Sequence, residues 1–274
     1  MRGVDSGTRT AGMRSETEFE APAEGGDAVA ATAPLDPVGR ATLELFAHSG
    51  SYNRFLWRRL RSLGPPRGRV LEVGCGIGNI THFLLAEPEV EAVHALDPDP
   101  AYVETVRREL GCSRLTLSAC SLEAFRPPAF PEGSDGLYDA IVSSNVLEHI
   151  EDDRQAMRDF ARLLRPGGVV LLLVPAHRWL YSDLDRNLSH YRRYRRRDLQ
   201  ELADVAGLRL EQARHFNPVG VLGWWLNGKV LRRAVLPAGQ LRLYSRFAVP
   251  LSVLADRLNP FPLGISLLAR FVKP

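Results

Sequence analysis

Hydrophobic runs alternate with helical stretches from about residue 69 to the end of the chain. Each run is rich in Val, Ile and Leu and lacks a polar face, which predicts a buried strand. The predicted strands are 69–73, 90–96, 114–118, 138–143, 168–174 and 208–216, followed by a last one within FPLGISLLARFVK. The predicted helices lie near 78–87, 100–110, 152–164 and 196–206. This alternation predicts an α/β fold with a doubly wound, mostly parallel sheet of seven strands.

Two segments depart from this alternation. Residues 1–37 are rich in Gly, Ala, Thr, Glu and Pro and bury too little apolar surface to offset the entropy of ordering, so we expect a disordered tail ahead of a domain at 38–274. Residues 217–262 are hydrophobic, aromatic and basic. We expect them to form a helical insertion before the last strand that caps a pocket or packs two subunits, with peripheral membrane contact as a third alternative.

Composition narrows the functional classes. The chain has 274 residues and a formal net charge of +3, with its basic excess in the last third. The three cysteines, Cys75, Cys112 and Cys120, are too few and too irregularly spaced for a disulfide framework or a zinc site, so no metal and a cytoplasmic location are expected. The apolar runs in the sequence are shorter than the roughly 18–20 residues that a membrane-spanning helix needs. Either a monomer or a homodimer fits this composition.

The stretch VLEVGCGIGNIT places Gly74, Gly76 and Gly78 between a predicted strand and a predicted helix. Glycines at the carboxyl end of such a strand let backbone N–H groups approach a ligand closely. A dinucleotide site needs the spacing G-x-G-x-x-G, but Asn occupies position 79 here. Glu72 would repel a pyrophosphate and attract an ammonium group, which favours a zwitterionic nucleoside over the cofactor of a nicotinamide dehydrogenase.

Asp97 ends the second predicted strand, about twenty residues beyond the glycine turn. An acid at this position can accept hydrogen bonds from both hydroxyls of a ribose. The alternative is an Asp that caps a turn before Pro98. The pairing of Asp97 with the glycine turn favours the ribose role.

Four stretches in this order, VLEVGCGIGNIT, HALDPDP, YDAIVSSNVLEHI and LLRPGGVVLLLVP, resemble the class I S-adenosylmethionine-dependent methyltransferases. The resemblance covers about residues 50–215 and implies a Rossmann-like fold with S-adenosylmethionine (SAM) as cofactor. It implies that the amino acid end of SAM lies on the glycine turn, the ribose on the second strand, and the adenine after the third. The implied cofactor residues are Glu72, Gly74, Cys75, Gly76, Asp97, Cys120, Ser121 and Asn145. Cys120 stands where many relatives have an Asp that reaches the adenine amino group, so that contact would pass to backbone groups and Ser121.

A sulfonium methyl group is already activated, so its transfer depends chiefly on proximity and orientation. A hydroxyl acceptor still benefits from a base, and His149 in NVLEHI is the first candidate. The alternative is that Glu148 and His149 only orient the pocket. His177 is a second candidate base. The side chain of His190 is expected to face the acceptor site, together with those of Tyr191 and Tyr194.

The segment HYRRYRRRD, residues 190–198, holds five arginines in nine positions. Arg195–Arg197 fall in the first turn of a predicted helix, where the helix dipole disfavours cations. These arginines are predicted to bind an anionic acceptor, to hold a lid or to face solvent. Binding of nucleic acid is disfavoured because the sequence shows no wider basic surface. We therefore expect methyl transfer to a small lipophilic or anionic acceptor, most plausibly at oxygen. The alternatives are an RNA or protein methyltransferase and a non-catalytic SAM-binding protein.

Overall fold

A computed structural model describes residues 50–127, 137–233, 251–253, 255 and 263–274. The predicted tail at 1–37 and most of the predicted insertion lie outside the described residues. The strands are β1 (Gly68–Val73), β2 (Val90–Asp97), β3 (Leu115–Ala119), β4 (Tyr138–Ser144), β5 (Leu164–Pro175), β6 (Arg209–Phe216) and β7 (Ser266–Val272). The α-helices are α1 (Gly50–Arg61), α2 (Thr81–Ala86), α3 (Pro100–Leu110), α4 (Asp153–Leu163), α5 (Asp183–Asn187), α6 (Arg196–Ala206) and α7 (Pro218–Trp225).

The described strands form a seven-stranded sheet in the order β3-β2-β1-β4-β5-β7-β6. All neighbouring strands are parallel except β7, which runs antiparallel to both β5 and β6. Glu72 of β1 lies opposite Ala95 of β2 and Val142 of β4, so these three central strands end at the same edge. The predicted doubly wound, mostly parallel sheet is confirmed, and its carboxyl edge collects the predicted cofactor residues.

Helices cover both faces of the sheet, which explains why the central strands β1, β4 and β5 are largely apolar. Successive side chains of a strand point to opposite faces. In β5, Val170 and Leu172 pack in one buried cluster with Phe160 of α4, while Leu171 packs in a second cluster with Leu60 of α1. Each face therefore has its own core, and the polar, partly exposed strand β6 lies at the edge of the sheet.

The helix α2 begins later than the pattern predicts. The prediction was 78–87, but the chain makes a turn over the glycine stretch and α2 starts at Thr81. Gly78 has a positive φ of 88°, which L side chains rarely adopt and which keeps this position out of the helix. The extra turn leaves the backbone N–H groups after β1 outside the helix.

The part of the 217–262 insertion that the structure describes begins as helix. Asn217 caps α7 by accepting a hydrogen bond from the Gly220 N–H at 2.9 Å, and a π-helical turn, Leu226–Val230, follows α7 directly. In the described part of the chain, no helix combines the length and apolar character that crossing a membrane requires.

Gly74 and Gly207 form a matched pair of glycines with positive φ, 79° and 66°. A Cβ at Gly74 would lie 2.2 Å from Cγ2 of Val146, whereas a Cβ at Gly207, the C-cap of α6, would meet no heavy atom within 4 Å. The turn after β1 is thus packed against the turn after β4. An alanine at Gly207 carries backbone strain alone, about 1–2 kcal/mol.

We expect Gly74→Ala to lower the free energy of unfolding clearly more than Gly207→Ala, because the added methyl group must also displace Val146. Denaturant titration of the two purified variants measures the difference. Equal losses would contradict the close packing of the two turns.

Candidate functional site

The glycine turn and the Asp97 carboxylate are in direct contact. The Gly76 N–H donates a hydrogen bond to Asp97 Oδ2 at 2.8 Å, and the Asp99 N–H donates to Oδ1 at 2.9 Å. Gly74 and Cys75 donate their backbone N–H groups to the Leu96 carbonyl, at 2.8 and 3.0 Å. The end of β2 therefore holds the turn after β1 in place. The bond from the Asp99 N–H is also the turn contact around Pro98 that the sequence offers as the alternative role of Asp97.

Glu72 lies beneath this turn and is only 3 % exposed. Thr81 Oγ1 donates a hydrogen bond to Glu72 Oε2 at 2.7 Å. Burial raises the pKa of Glu72 to about 8, the charge of Asp97 adds to this rise, and the Thr81 hydrogen bond opposes it. Without a cation beside it, this carboxyl keeps its proton at neutral pH.

The remaining predicted cofactor residues lie at the same edge of the sheet. Cys75 is buried within the glycine turn, and burial raises the pKa of its thiol, so it stays neutral. Cys120 directly follows β3 and is half-buried, and the neighbouring Ser121 Oγ accepts a hydrogen bond from the Ala124 N–H at 3.4 Å. Asn145 directly follows β4, is exposed and has a positive φ of 54°.

Glu148, His149 and His190 form a cluster beyond β4. One ligating atom from each side chain lies within 4.8 Å of the other two. The imidazole rings of His149 and His190 meet edge to face at 4.7 Å, and His190 Nε2 lies 4.0 Å from Glu148 Oε1. The structure thus brings together the two histidines that the sequence nominates for catalysis, although they are 41 positions apart.

Glu148 is fully buried, and within the described residues neither of its carboxylate oxygens has a hydrogen-bond partner. Burial raises the pKa of Glu148 to about 7, although His190 and Arg193 act to lower it. His149 is exposed, and its pKa is lowered first by the loss of hydration around its crowded ring and then by His190. Sequence reasoning assigned Glu148 only an orienting role, because burial cannot be seen in NVLEHI.

Asp185 contacts the ring nitrogen of His190 that faces away from Glu148, and it is not among the site residues predicted from the sequence. It is fully buried and accepts a hydrogen bond from Arg193 Nε at 2.6 Å. Its other oxygen accepts from the Ser182 N–H at 2.9 Å and from Trp224 Nε1 at 3.3 Å. His190 Nδ1 lies 3.2 Å from Asp185 Oδ1. The pattern SDLD could have marked Asp185 as part of a capping box at the start of α5, although it does not show that the carboxyl group is buried.

One of the expected acceptor-site residues lies elsewhere. Tyr194 was predicted to look into the acceptor site, but it is only 2 % exposed and packs in the core, where its hydroxyl donates to Asp153 Oδ2 at 3.0 Å. The prediction failed because Tyr194 pairs with the strand end at Ala176, which turns the ring inward. His177 stacks on His215, with ring centroids 4.9 Å apart. Tyr191 is 53 % exposed, as a pocket wall would be.

The arginines of 190–198 divide into two groups. Arg192 pairs with Asp153 at 2.9 Å, and the buried Arg193 pairs with Asp185 and lies 4.6 Å from the Trp224 ring centroid. Arg195–Arg197 are exposed at the start of α6. The ion pairs of Arg192 and Arg193 hold this loop against the domain. The exposed side chains of Arg195–Arg197 form a short basic surface.

Residues 48–213 match the family profile described as a methyltransferase domain. This match covers more than half of the chain and includes the glycine turn, Asp97 and the Glu148–His149 turn.

Relatives with known names share parts of this region. The chain is 34 % identical over 145 residues to a protein of Mycolicibacterium smegmatis named as an S-adenosylmethionine-dependent methyltransferase, covering 52 % of each chain. It is 35 % identical over 107 residues to the ubiquinone biosynthesis O-methyltransferase of Methylocella silvestris, covering 37 % of this chain and 38 % of the relative. It is 33 % identical over 118 residues to a highly reducing polyketide synthase of Penicillium rubens, covering 40 % of this chain and 5 % of the synthase. The chain therefore spans at most about half the length of these relatives.

A solved structure shares the fold. Phosphoethanolamine N-methyltransferase 2 of Haemonchus contortus, in complex with S-adenosyl-L-methionine, aligns with a TM-score of 0.59 at 19 % identity, covering 89 % of this chain and 61 % of that one. The family match, the order of the four motifs and the shared fold agree with one another. The chain belongs to the methyltransferase domain family and is a class I enzyme that uses SAM as its cofactor.

Proposed function

We propose that the enzyme transfers the methyl group of SAM to an oxygen of a small-molecule acceptor. The observation that carries the cofactor side of this proposal is the contact between Gly76 and Asp97, since it combines backbone N–H groups and a carboxylate in one site. In this arrangement the glycine turn binds the methionine part of SAM, and Asp97 accepts hydrogen bonds from the ribose hydroxyls. The segment Cys120–Ser121 borders the adenine, and Asn145 lies beside the cofactor.

The chemistry of the residues present fits SAM. Glu72 is a buried carboxyl that holds its proton when no cation is near, and the ammonium group of SAM supplies such a cation. An ion pair with Glu72 would offset the cost of burying this acid. The same carboxylate would repel the pyrophosphate of a dinucleotide, so the site selects a zwitterionic nucleoside.

The histidine cluster supports an oxygen acceptor. A hydroxyl group loses its proton when it attacks the sulfonium methyl group, and the oxygen–carbon bond forms as the carbon–sulfur bond breaks. The electron pair of that bond stays on sulfur, which leaves neutral S-adenosylhomocysteine. The position of His149 just beyond β4, one strand from the glycine turn, and its contact with His190 from the loop after β5 support a role of this pair in removing the acceptor's proton. The partial similarity to an O-methyltransferase of ubiquinone biosynthesis favours the same acceptor class.

The acceptor class can be tested with SAM that carries a trideuteromethyl group. The purified chain is incubated with this cofactor and either a small-molecule extract, a panel of phenols and catechols, or bulk RNA. We expect the label on the oxygen of a small molecule, detected by mass spectrometry. Label on RNA, with a steep dependence on salt, would instead support the alternative in which exposed Arg195–Arg197 hold nucleic acid.

Asp97→Asn should weaken SAM binding by about 1–3 kcal/mol, because an amide replaces a carboxylate that accepts two ribose hydrogen bonds. Calorimetric titration with SAM measures the loss, and a denaturant titration separates it from a loss of folding. Asp99→Asn is the matched control. Its side chain caps α3 by accepting from the Ala101 N–H at 2.8 Å, a role that Asn fills equally well. Equal affinity of both variants for SAM would remove Asp97 from the site.

SAM binding should release a proton from Glu72. The pKa of this acid in the free protein is about 8, so at pH 7 the group is mostly protonated. A bound ammonium group favours the carboxylate and lowers this pKa, so SAM affinity should rise with pH between about 6 and 7.5, below the range where the amino group of SAM itself titrates.

Calorimetry at pH 7 in two buffers of different ionisation enthalpy counts this proton. We expect close to one proton per SAM in the wild type and a loss of the buffer dependence in Glu72→Gln. A buffer dependence that persists in Glu72→Gln would show that another group releases the proton.

A further inference from the structure

The cluster of Glu148, His149 and His190 has the form of a metal site. Each residue offers one potential ligand atom, and all three atoms lie within 4.8 Å of one another. Bonds from Zn²⁺ to His nitrogen and carboxylate oxygen measure about 2.0–2.2 Å, so the three side chains need to close in by roughly 1 Å or less each.

The carboxylate of Glu148 is a second, independent indication that the cluster binds a ligand. Its side chain is fully buried, yet neither carboxylate oxygen has a hydrogen-bond partner within the described residues. Buried polar groups in native proteins are nearly always satisfied, and an unsatisfied one calls for an explanation such as an ion. The Nε2 atom of His190 lies 4.0 Å from Glu148 Oε1, too far for a hydrogen bond but close enough for both atoms to share an ion.

The imidazole rings of both histidines make hydrogen bonds to other protein groups, as those of metal ligands usually do. A ligating His almost always donates its second ring N–H to a carboxylate or a backbone carbonyl, which orients the ring. His190 Nδ1 lies 3.2 Å from Asp185 Oδ1, which directs Nε2 toward Glu148. The His149 ring hydrogen bonds to the backbone of Ser189.

The charge balance of the residues around the cluster favours a bound cation. Asp185 is compensated by Arg193, whose Nε donates to it at 2.6 Å and whose guanidinium is otherwise directed to the Ala176 carbonyl at 3.0 Å. Glu148 has no comparable hydrogen-bonded partner among the described residues. An imidazole that binds a metal contributes a lone pair and no charge, so a divalent ion would meet one carboxylate without a direct ion pair.

The donor set selects the kind of ion. Two imidazoles and one carboxylate suit Zn²⁺ and similar transition metals, whereas Mg²⁺ and Ca²⁺ prefer oxygen ligands. Three protein ligands leave a coordination position open, as in catalytic rather than structural zinc sites. The few, irregularly spaced cysteines predict no metal site, and the 41 positions between His149 and His190 give no ligand spacing that the sequence alone reveals.

We propose that Glu148, His149 and His190 bind a divalent transition-metal ion of the Zn²⁺ type, and that the acceptor oxygen occupies its open position. Ion binding stands on the cluster alone, and only the acceptor part rests on the proposed function. The ion acidifies the acceptor hydroxyl, whose proton passes to water before the oxygen attacks the methyl group of SAM. The two histidines then promote deprotonation as ligands of the ion.

Zinc binding by the full chain tests the site directly. The chain is purified without a histidine tag, stripped with a chelator and titrated with Zn²⁺ in competition with a chromophoric chelator. We expect one site in the wild type and an affinity at least about 100-fold weaker in Glu148→Gln and in His190→Asn, since even the loss of a supporting contact costs 10–100-fold. Glu151→Gln is the matched control, because it makes the same change at an exposed position of the same loop and should bind like the wild type. A wild-type chain that binds no Zn²⁺, or a Glu148→Gln variant that binds as tightly, overturns the proposal.

Cobalt substitution gives a readout that needs no variant. The stripped wild type loaded with Co²⁺ should show the visible absorption bands of a four- or five-coordinate site, and Zn²⁺ should displace them. Absence of these bands contradicts a three-ligand site with an open position.

Activity then separates the two proposals. If the chain binds Zn²⁺ but methylates its acceptor equally well after stripping, the acceptor part of the inference is wrong and the proposed function stands. If zinc binding holds and no small molecule is methylated, the proposed function fails and the metal site stands.

Discussion

The hydrogen bond from the Gly76 N–H to Asp97 ties the turn after β1 to the end of β2, and the proposed cofactor site depends on this contact. If the turn moved away from the second strand, Oδ2 of this buried carboxylate would lose its backbone donor, which is costly in a low-dielectric site. Gly74 adds a second constraint, because its missing side chain lets Val146 approach. Three neighbouring strands are thus coupled through one short turn.

The sheet creates this arrangement by bringing strand ends together. Glu72, Asp97 and Asn145 are far apart in sequence, yet each lies at the carboxyl end of one of the adjacent strands β1, β2 and β4. The helices on both faces exclude water from the strands, so the acids at this edge are buried. Burial raises the pKa of both Glu72 and Asp97, and a cationic ligand with hydroxyl groups would relieve this electrostatic cost.

Much of the fold and of the cofactor edge could be predicted because both follow from local patterns. The apolar strands, the glycine turn and the helix that ends at Gly207 each have a signature within a dozen residues. The inward turn of Tyr194 and the buried carboxyl of Asp185 had no such signature, because both depend on contacts across the loop after β5. The arginine run was ambiguous for the same reason, since Arg192 and Arg193 find their acidic partners at Asp153 and Asp185 only in the folded chain.

We propose that SAM lies between Glu72 and Asp97, and a crystal structure of the chain with S-adenosylhomocysteine would show the position of the ligand. We expect both ribose hydroxyls within hydrogen-bond distance of the Asp97 carboxylate, and the amino group of the ligand on the glycine turn near Glu72. A ligand bound elsewhere, or a ribose out of reach of Asp97, would contradict it.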